Sequence, residues 1–412
     1  MPFTATATPT TRTGGTAEGK EFIALVTALM ATSALGIDLM LPAFSDIRAE
    51  FGMAADSTSV TWVVTAYFLG MAVGPWLYGP ASDRFGRRKP LLAGLTLYGV
   101  AATLAAVAPT WPLVILARFL WGVGASGPRT ISVAIIRDRY DGDSMARLMS
   151  IIMAVFLLVP IVAPAAGAGL LAVLPWESVF WFPAVVAAGL MLWARRLPET
   201  LSHEQRRPLT RKAVAQAARE VVGHRQTLTL ILAMTMLFGV LSVYLGSSEV
   251  IVTDVYDKEQ WFPLFFGAIA VVLALSSLNN ARLVRRIGVR RLVRRMAVVG
   301  LASAAVLVAV SVATDGTPNL ILFSALLSIP LALGQGLSPN SNALAMAPLP
   351  HVAGTASSII ATVTSGGGAV LGGVASGFFD GTVTPFALTI LAYFVVATAL
   401  ILWGTATVQD SQ

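Results

Sequence analysis

Gly79-Pro80-Ala81-Ser82-Asp83-Arg84-Phe85-Gly86-Arg87-Arg88-Lys89-Pro90 separates an apolar run at 59–80 from another at 90–108. A basic turn this short joins two spans at one face of a membrane. Lys and Arg near span ends resist translocation, so Arg84, Arg87, Arg88 and Lys89 mark that face as cytoplasmic.

The rest of the chain agrees. Of its 412 residues 56% are hydrophobic and 12% charged, and the mean hydropathy is +0.76. A soluble domain carries about 25% charged residues, so this surface is built for lipid. The formal charge is +7, but the cations gather at span ends rather than on one patch, which argues against nucleic acid as a partner. Cysteine is absent, which removes disulfides, thiolate metal sites and cysteine nucleophiles. His203, His224 and His351 fall in loops, no acid pair or metal-ligand spacing lies within one span, and no glycine-lysine phosphate loop is present. No enzymatic activity, metal or cofactor is expected.

A span needs about 20 mostly apolar residues. The runs that qualify are 22–43, 59–80, 90–108, 112–134, 148–172, 176–194, 226–247, 261–281, 296–313, 319–342, 354–379 and 383–404, which makes twelve. The expected fold class is all-α integral membrane. Its units are a disordered tail at 1–20, a six-helix bundle at 21–194, a cytoplasmic linker at 195–225, a second six-helix bundle at 226–404 and a tail at 405–412. The run from Phe22 exceeds a signal-peptide core of about 7–15 residues and reads as an uncleaved first span. In the linker, Leu209, Ala213, Ala217 and Val221 lie near helical spacing, which fits an interfacial helix or a solvated tether. Of the 28 cations, 24 fall on the side of the basic turn, Arg48 and Lys258 on the other, and Arg118 and Arg129 inside span four. Both termini should therefore be cytoplasmic.

The chain also echoes itself. Arg285-Arg286-Ile287-Gly288-Val289-Arg290-Arg291 follows span eight as Asp83-Arg84-Phe85-Gly86-Arg87-Arg88-Lys89 follows span two, at an offset of 202. Two homologous halves, the second having lost the acid, explain this. Parallel repeats about a membrane-normal axis are a recurring transporter plan.

These residues resemble the major facilitator superfamily. Gly79, Asp83, Arg84, Gly86, Arg87 and Arg88 look like its loop 2–3 motif, and Arg118-Phe119-Leu120-Trp121-Gly122-Val123-Gly124 is similar to its fourth-helix motif. Pro160-Ile161-Val162-Ala163-Pro164-Ala165-Ala166-Gly167-Ala168-Gly169 loosely resembles the span-five motif associated with antiporters. With Gly36-Ile37-Asp38-Leu39-Met40-Leu41-Pro42, the likeness narrows to bicyclomycin/chloramphenicol-type (Bcr/CflA) exporters and the related MdfA-type drug/proton antiporters. The resemblance implies a monomer in a bacterial inner membrane that rocks two bundles about a cavity and exchanges small amphipathic compounds for protons. It also implies that the loop motif helps hold an outward-open state. Two features depart from the pattern. Met30 stands where MdfA-like chains carry a second acid, and the span-five run has Ala where Gly is usual. The first speaks against multiply charged cations as substrates.

Asp38 is the carboxylate well inside an apolar run. A bare charge there costs about 2.5–3.5 kcal/mol on insertion scales. Asp38 and Arg118 each lie about six residues, or roughly 9 Å, from the same face, so Arg118 is the expected partner. Their pairing would be either a static lock between spans one and four or the device that ties proton occupancy to the open side. Asp83, Arg84, Arg87 and Arg88 read as a cytoplasmic latch with Arg137, Asp138 and Arg139. Arg129, three turns beyond Arg118, lines the inner cavity or snorkels to headgroups. Two cavity arginines against one acid would favour neutral, zwitterionic or anionic substrates.

Tyr67, Trp121, Met153, Phe156, Tyr244, Phe266, Gln335 and Asn340 are cavity candidates by depth, with helix packing as the commoner fate of such residues. Pro160, Pro164 and Gly167 are the expected hinge, and Gly70-x-x-x-Gly74 a close helix contact. Alternatives to drug export are a dedicated exporter of one metabolite and a non-transporting receptor or scaffold.

Overall fold

The computed structural model describes residues 16–54, 57–140, 142–201, 211–349 and 352–406. The helices are α1 (Thr16–Asp38), α2 (Phe44–Glu50), α3 (Trp62–Phe85), α4 (Arg88–Ala106), α5 (Trp111–Arg139), α6 (Gly142–Leu171) and α7 (Ser178–Ala194), then α8 (Arg211–Gly223). A second set follows: α9 (Arg225–Val250), α10 (Phe262–Ile287), α11 (Val289–Ala313), α12 (Leu320–Met346), α13 (Ala353–Ser376) and α14 (Thr384–Thr405). Among the described residues 11 helical stretches are long and apolar enough to cross a membrane, and Ser178–Ala194, apolar but shorter, is the twelfth. Helix is what lipid imposes, because every backbone N–H and C=O must find its partner within the segment.

Several boundaries move. α1 starts at Thr16, so residues 16–20 of the expected tail are helical. It also stops at Asp38, where an unbroken span to residue 43 was expected. A turn at Leu39 and Met40 and a 3-10 turn at Leu41–Ala43 then lead into α2. Pro42 explains the break, since it lacks an N–H and its ring would clash with the carbonyl of Asp38, four residues before it, where α1 stops. His203, His351 and residues 1–15, 202–210 and 407–412 lie outside the described residues.

The basic turn is tighter than its sequence. α3 runs through Pro75 and Pro80 to Phe85, leaving Gly86 and Arg87 between helices. Arg and Lys are good helix formers, so helices continue past the apolar run once they reach charged ends. Gly86 holds φ 88°, ψ 170°, a region essentially reserved for glycine. Gly288, between α10 and α11, holds φ 82°, ψ 144°. The echo in sequence is thus an echo in backbone.

Small residues set the packing. A Cβ on Gly70 would sit 2.0 Å from the Phe119 carbonyl oxygen, and one on Gly122 would sit 1.9 Å from that of Tyr67. α3 and α5 therefore touch backbone to backbone, the contact that small residues permit in lipid. Across the two halves α3 packs on α13 and α6 on α10. We call the end with the Gly86 and Gly288 turns the basic end. The opposite end, with Asp46, Asp254, Glu259, Asp315 and Asp380, is the acidic end. One apolar core runs through both halves, and in the second half it extends to the basic end, where Leu292, Val293 and Leu349 belong to it. At the basic end the first half has a separate core around Leu25, Tyr78, Leu91 and Ile135.

Candidate functional site

Asp38 is the last residue of α1 and only 3% exposed. Its carboxyl group makes no hydrogen bond or ion pair among the described residues. Arg118 does reach α1 but takes other partners. Its Nη1 donates to the Gly36 carbonyl at 2.8 Å, and its Nε donates to the Val63 carbonyl at 3.2 Å. The guanidinium lies 4.6 Å from the ring centres of both Tyr67 and Trp121. The expected Asp38–Arg118 ion pair is therefore absent from this conformation. Carbonyl oxygens two residues before Asp38 and at the start of α3 have filled the fork instead. Arg118 Nη2 stays buried with no partner.

Gly36 lets the Tyr67 and Tyr98 hydroxyls close on α1 beside this contact, because a Cβ there would meet them at 2.7 and 3.1 Å. Gly167 acts similarly on the other side of the break. A Cβ on it would sit 2.1 Å from the Leu39 carbonyl oxygen, so α6 rests directly on the turn that follows Asp38. Pro160 and Pro164 lie within an uninterrupted α6.

The cavity candidates divide. Tyr67 donates to the Ser33 carbonyl at 3.0 Å, and Trp121 packs edge-on among Tyr67, Tyr98 and Phe180. Both are wholly buried core of the first half, not wall of a cavity. Tyr244 stacks on Phe266 at 5.3 Å, and its buried hydroxyl has no partner. Asn340 exchanges hydrogen bonds with Asn280, at 2.8 and 3.3 Å. Met153 and Arg129 are exposed, whereas Phe156 and Gln335 are half-buried.

At the basic end the loop motif forms a clasp. Arg87 Nη1 donates to Asp83 at 2.6 Å and to Ser82 at 3.0 Å. Its Nε and Nη2 grip Asp138 at 2.8 and 3.2 Å. Burial disfavours the charge on Arg87, but its bonds to Asp138 and Asp83 outweigh that and strengthen it. Arg84 turns away onto Phe85, the Arg88 side chain is exposed, and Gly79 lies inside α3. Of the predicted set, then, Asp83, Arg87 and Asp138 meet around the Gly86 turn. All belong to one half.

Glu199 completes this clasp and was not foreseen. Its Oε1 accepts from the Arg87 N–H at 2.7 Å, and its Oε2 from the Arg88 N–H at 3.2 Å, capping the start of α4. Burial pushes its carboxyl up, but the backbone donors of Arg87, Leu201, Arg88 and Thr200 win and hold it below the usual range. The available signal was Pro198-Glu199-Thr200, the first of three acids in a basic linker.

The acidic end holds a second clasp, also unforeseen. Arg48 of α2 pairs with Asp254 at 2.7 and 3.1 Å, joining one half to the other. Ser45 donates to Glu259 at 2.7 Å across the same seam. Glu249, 0% exposed, sits beside them near the end of α9. It lay just beyond the expected span 226–247, while the helix and a π turn at Ile251–Val255 carry the segment further. The sequence hint was Arg48 itself, a rare cation on the cation-poor side. At mid-span Trp76 donates to Thr362 at 2.6 Å, and Phe68 meets Phe238 edge-on at 5.1 Å. These contacts between halves lie at the acidic end or mid-span.

Residues 26–373 match the model of the Major Facilitator Superfamily. The chain is 27% identical over 391 residues to a bicyclomycin resistance protein homolog of Haemophilus influenzae, covering 91% of this chain and 94% of that one. It is 28% identical over 253 residues to the multidrug resistance protein MdtL of Escherichia fergusonii, covering 61% of each. A D-xylose–proton symporter superposes with TM-score 0.74 at 15% identity, over 93% of this chain and 97% of that one. The human organic anion transporter MFSD10 (TETRAN) superposes with TM-score 0.70 at 18% identity, over 94% and 98%.

Proposed function

This chain belongs to the Major Facilitator Superfamily, and on that premise we propose that it exports drugs or other small amphipathic compounds in exchange for protons by alternating access. It is a membrane transporter, not an enzyme. The orientation follows from charge. The basic end faces the cytoplasm of a bacterial inner membrane, with both termini on that side. The units are a bundle at 21–194 and another at 226–404 joined by the linker 195–225, and the protein works as a monomer.

One observation carries the reading. Asp38 is a buried carboxyl within the membrane, without a partner among the described residues, at a helix end whose following turn, Leu41–Ala43, packs on α9 of the other half. Charge there is costly unless water or a cation reaches it. When the halves move, α9 leaves the turn after Asp38, the end of α1 is free to adjust, and Arg118, whose Nη2 is uncommitted, reaches the carboxylate. Proton occupancy then follows the side that is open. A pH difference of one unit contributes about 1.4 kcal/mol per proton. A potential of 100 mV adds about 2.3 kcal/mol per charge. Together they sustain a drug gradient well above tenfold. The names of the relatives, bicyclomycin resistance and multidrug resistance, favour drugs as cargo. Met30 and the exposed Arg129 favour neutral, zwitterionic or anionic ones.

Drug/proton exchange in proteoliposomes with an imposed pH gradient tests this. The wild type should accumulate drug against its gradient, and Asp38→Asn should lose coupled accumulation and substrate-induced proton release in detergent. Equal accumulation by the variant would remove Asp38 from the mechanism. Protection of cells against one compound alone would point to a dedicated exporter.

A further inference from the structure

Glu249 is, with Asp38, one of two wholly buried acidic residues among the described residues, and it lies in the opposite half. Its Oε1 accepts from the Thr253 hydroxyl at 3.0 Å, while its Oε2 is buried with no partner among the described residues. It forms part of the wall of a pocket of about 260 Å³ at the seam of the halves, with Asp46, Glu259, Leu171 and Phe262. We propose that Glu249 is a second proton-binding site, filled from the solution at the acidic end, whose occupancy keeps that end shut.

The charged groups facing Glu249 are Arg48, Asp254 and Glu259. Arg48, from α2, is the only cation among them, and both arms of its fork are committed to Asp254. Glu259, from the turn before α10, is held by Ser45 and repels a second carboxylate. Asp46, on α2, is exposed and adds negative charge at the rim. Lys258 points to the Trp261 ring at 5.8 Å, and α6 contributes Ala168, Leu171 and Ala172 to the pocket, none of them titratable. An ionised Glu249 in the shut state would thus be a desolvated charge with one hydroxyl for company, next to two other anions. Breaking a buried pair by removing its partner is strongly destabilising for this reason. As a neutral acid it escapes most of that cost. Opening the seam would part Arg48 from Asp254 and admit water to Glu249, where charge is tolerated. Proton loss therefore goes with opening and proton uptake with closing.

This rests on the reading above that the acidic end opens outward during export. In that cycle acid outside would favour shutting the outer gate and returning the empty carrier to the cytoplasmic side. Asp38 and Glu249 then have different tasks, one exchanging protons across the membrane, the other sensing them on one side.

The absence of cysteine makes the test direct. Ala54→Cys and Thr317→Cys place spin labels on exposed loops of the two halves at the acidic end. Distances between them are measured in lipid nanodiscs over a range of pH. The open-to-shut ratio should rise with pH, by at most about tenfold per unit for one proton. Glu249→Gln should stay shut throughout, and Thr253→Val, which removes the one donor to the carboxylate, should move the midpoint to higher pH. A wild type whose ratio ignores pH, a Glu249→Gln that titrates like it, or a Thr253→Val with an unmoved midpoint would each overturn the proposal. Asp38→Asn in the same assay separates the two readings. It should lose drug-driven proton release yet keep the pH response of the gate. Loss of exchange in the wild type with that response intact would defeat the export reading alone.

Discussion

Arg48 and Arg87 make nearly the same bonds and do opposite work. Each guanidinium is 4% exposed and grips one aspartate with two nitrogens. Arg87 closes on Asp83 and Asp138, within one half, and its neighbour Glu199 ties the linker into the same clasp. Arg48 closes on Asp254, 206 residues away in the other half. A bond inside a rigid body adds stability and is insensitive to rocking. A bond across the seam selects the conformation in which it can form. What an ion pair does in a transporter depends on which bodies it joins, not on its length or burial.

The largest expected effect tests the first half of that contrast. Arg87→Ala removes a buried guanidinium and leaves Asp138 with only the Thr200 hydroxyl, and should lower stability by about 3 kcal/mol, read as a lower melting temperature in detergent. The label distance at the acidic end should not change. If that end opens, Arg87 is no strut.

Arg48→Ala should do the converse. We expect a shift toward the state open at the acidic end of about 1–3 kcal/mol, or 5–150-fold in population, with little change in melting. The exchange of partners, Arg48→Asp with Asp254→Arg, should restore the shut distance. Failure of the swap would sharpen the picture toward Glu249 as the group that reads the arginine.

The paired turns give a smaller effect. Gly86→Ala and Gly288→Ala both force a side chain into a region costing about 1–3 kcal/mol. A Cβ on Gly86 would also meet Glu199 at 2.4 Å, whereas one on Gly288 meets nothing within 4 Å. Gly86→Ala should therefore melt lower, and equal losses would show that the Glu199 contact is dispensable.

The smallest effect is one of pH. The folded-state Glu199 carboxyl lies below its ordinary 4.5. Its contribution is thus complete above that value and fades as pH falls through the depressed one. Glu199→Gln should melt slightly below wild type at neutral pH, with the gap closing in acid. A gap that widened in acid would reverse the assignment.

Much of the architecture was legible because lipid leaves so few options. Runs of about 20 apolar residues must be helices, and the run 176–194 was read as one of them although its helix, Ser178–Ala194, has only 17 residues. The Gly86–Gly288 echo was legible because a backbone region that only glycine tolerates leaves its mark in one letter. The clasp at Asp83 and Arg87 came with it, being local. Glu249 was not legible, because hydropathy cannot tell a carboxylate just beyond a span from one buried by the continuing helix. For Trp121 the choice between cavity wall and helix packing was not legible, because depth along a helix says nothing about which side of it faces a neighbour.

The amino-acid order by itself determined the apolar spans and the turn that pairs two of them, since each answers to the solvent and to backbone sterics within a few residues. Tertiary structure decided which charges meet. Arg118 chose the carbonyl oxygens of Gly36 and Val63 over Asp38, and Arg48 found Asp254 in the other half. A hydrogen bond is won or lost over less than an ångström, and separations that fine are set by how whole helices pack, not by how far apart residues stand in the chain.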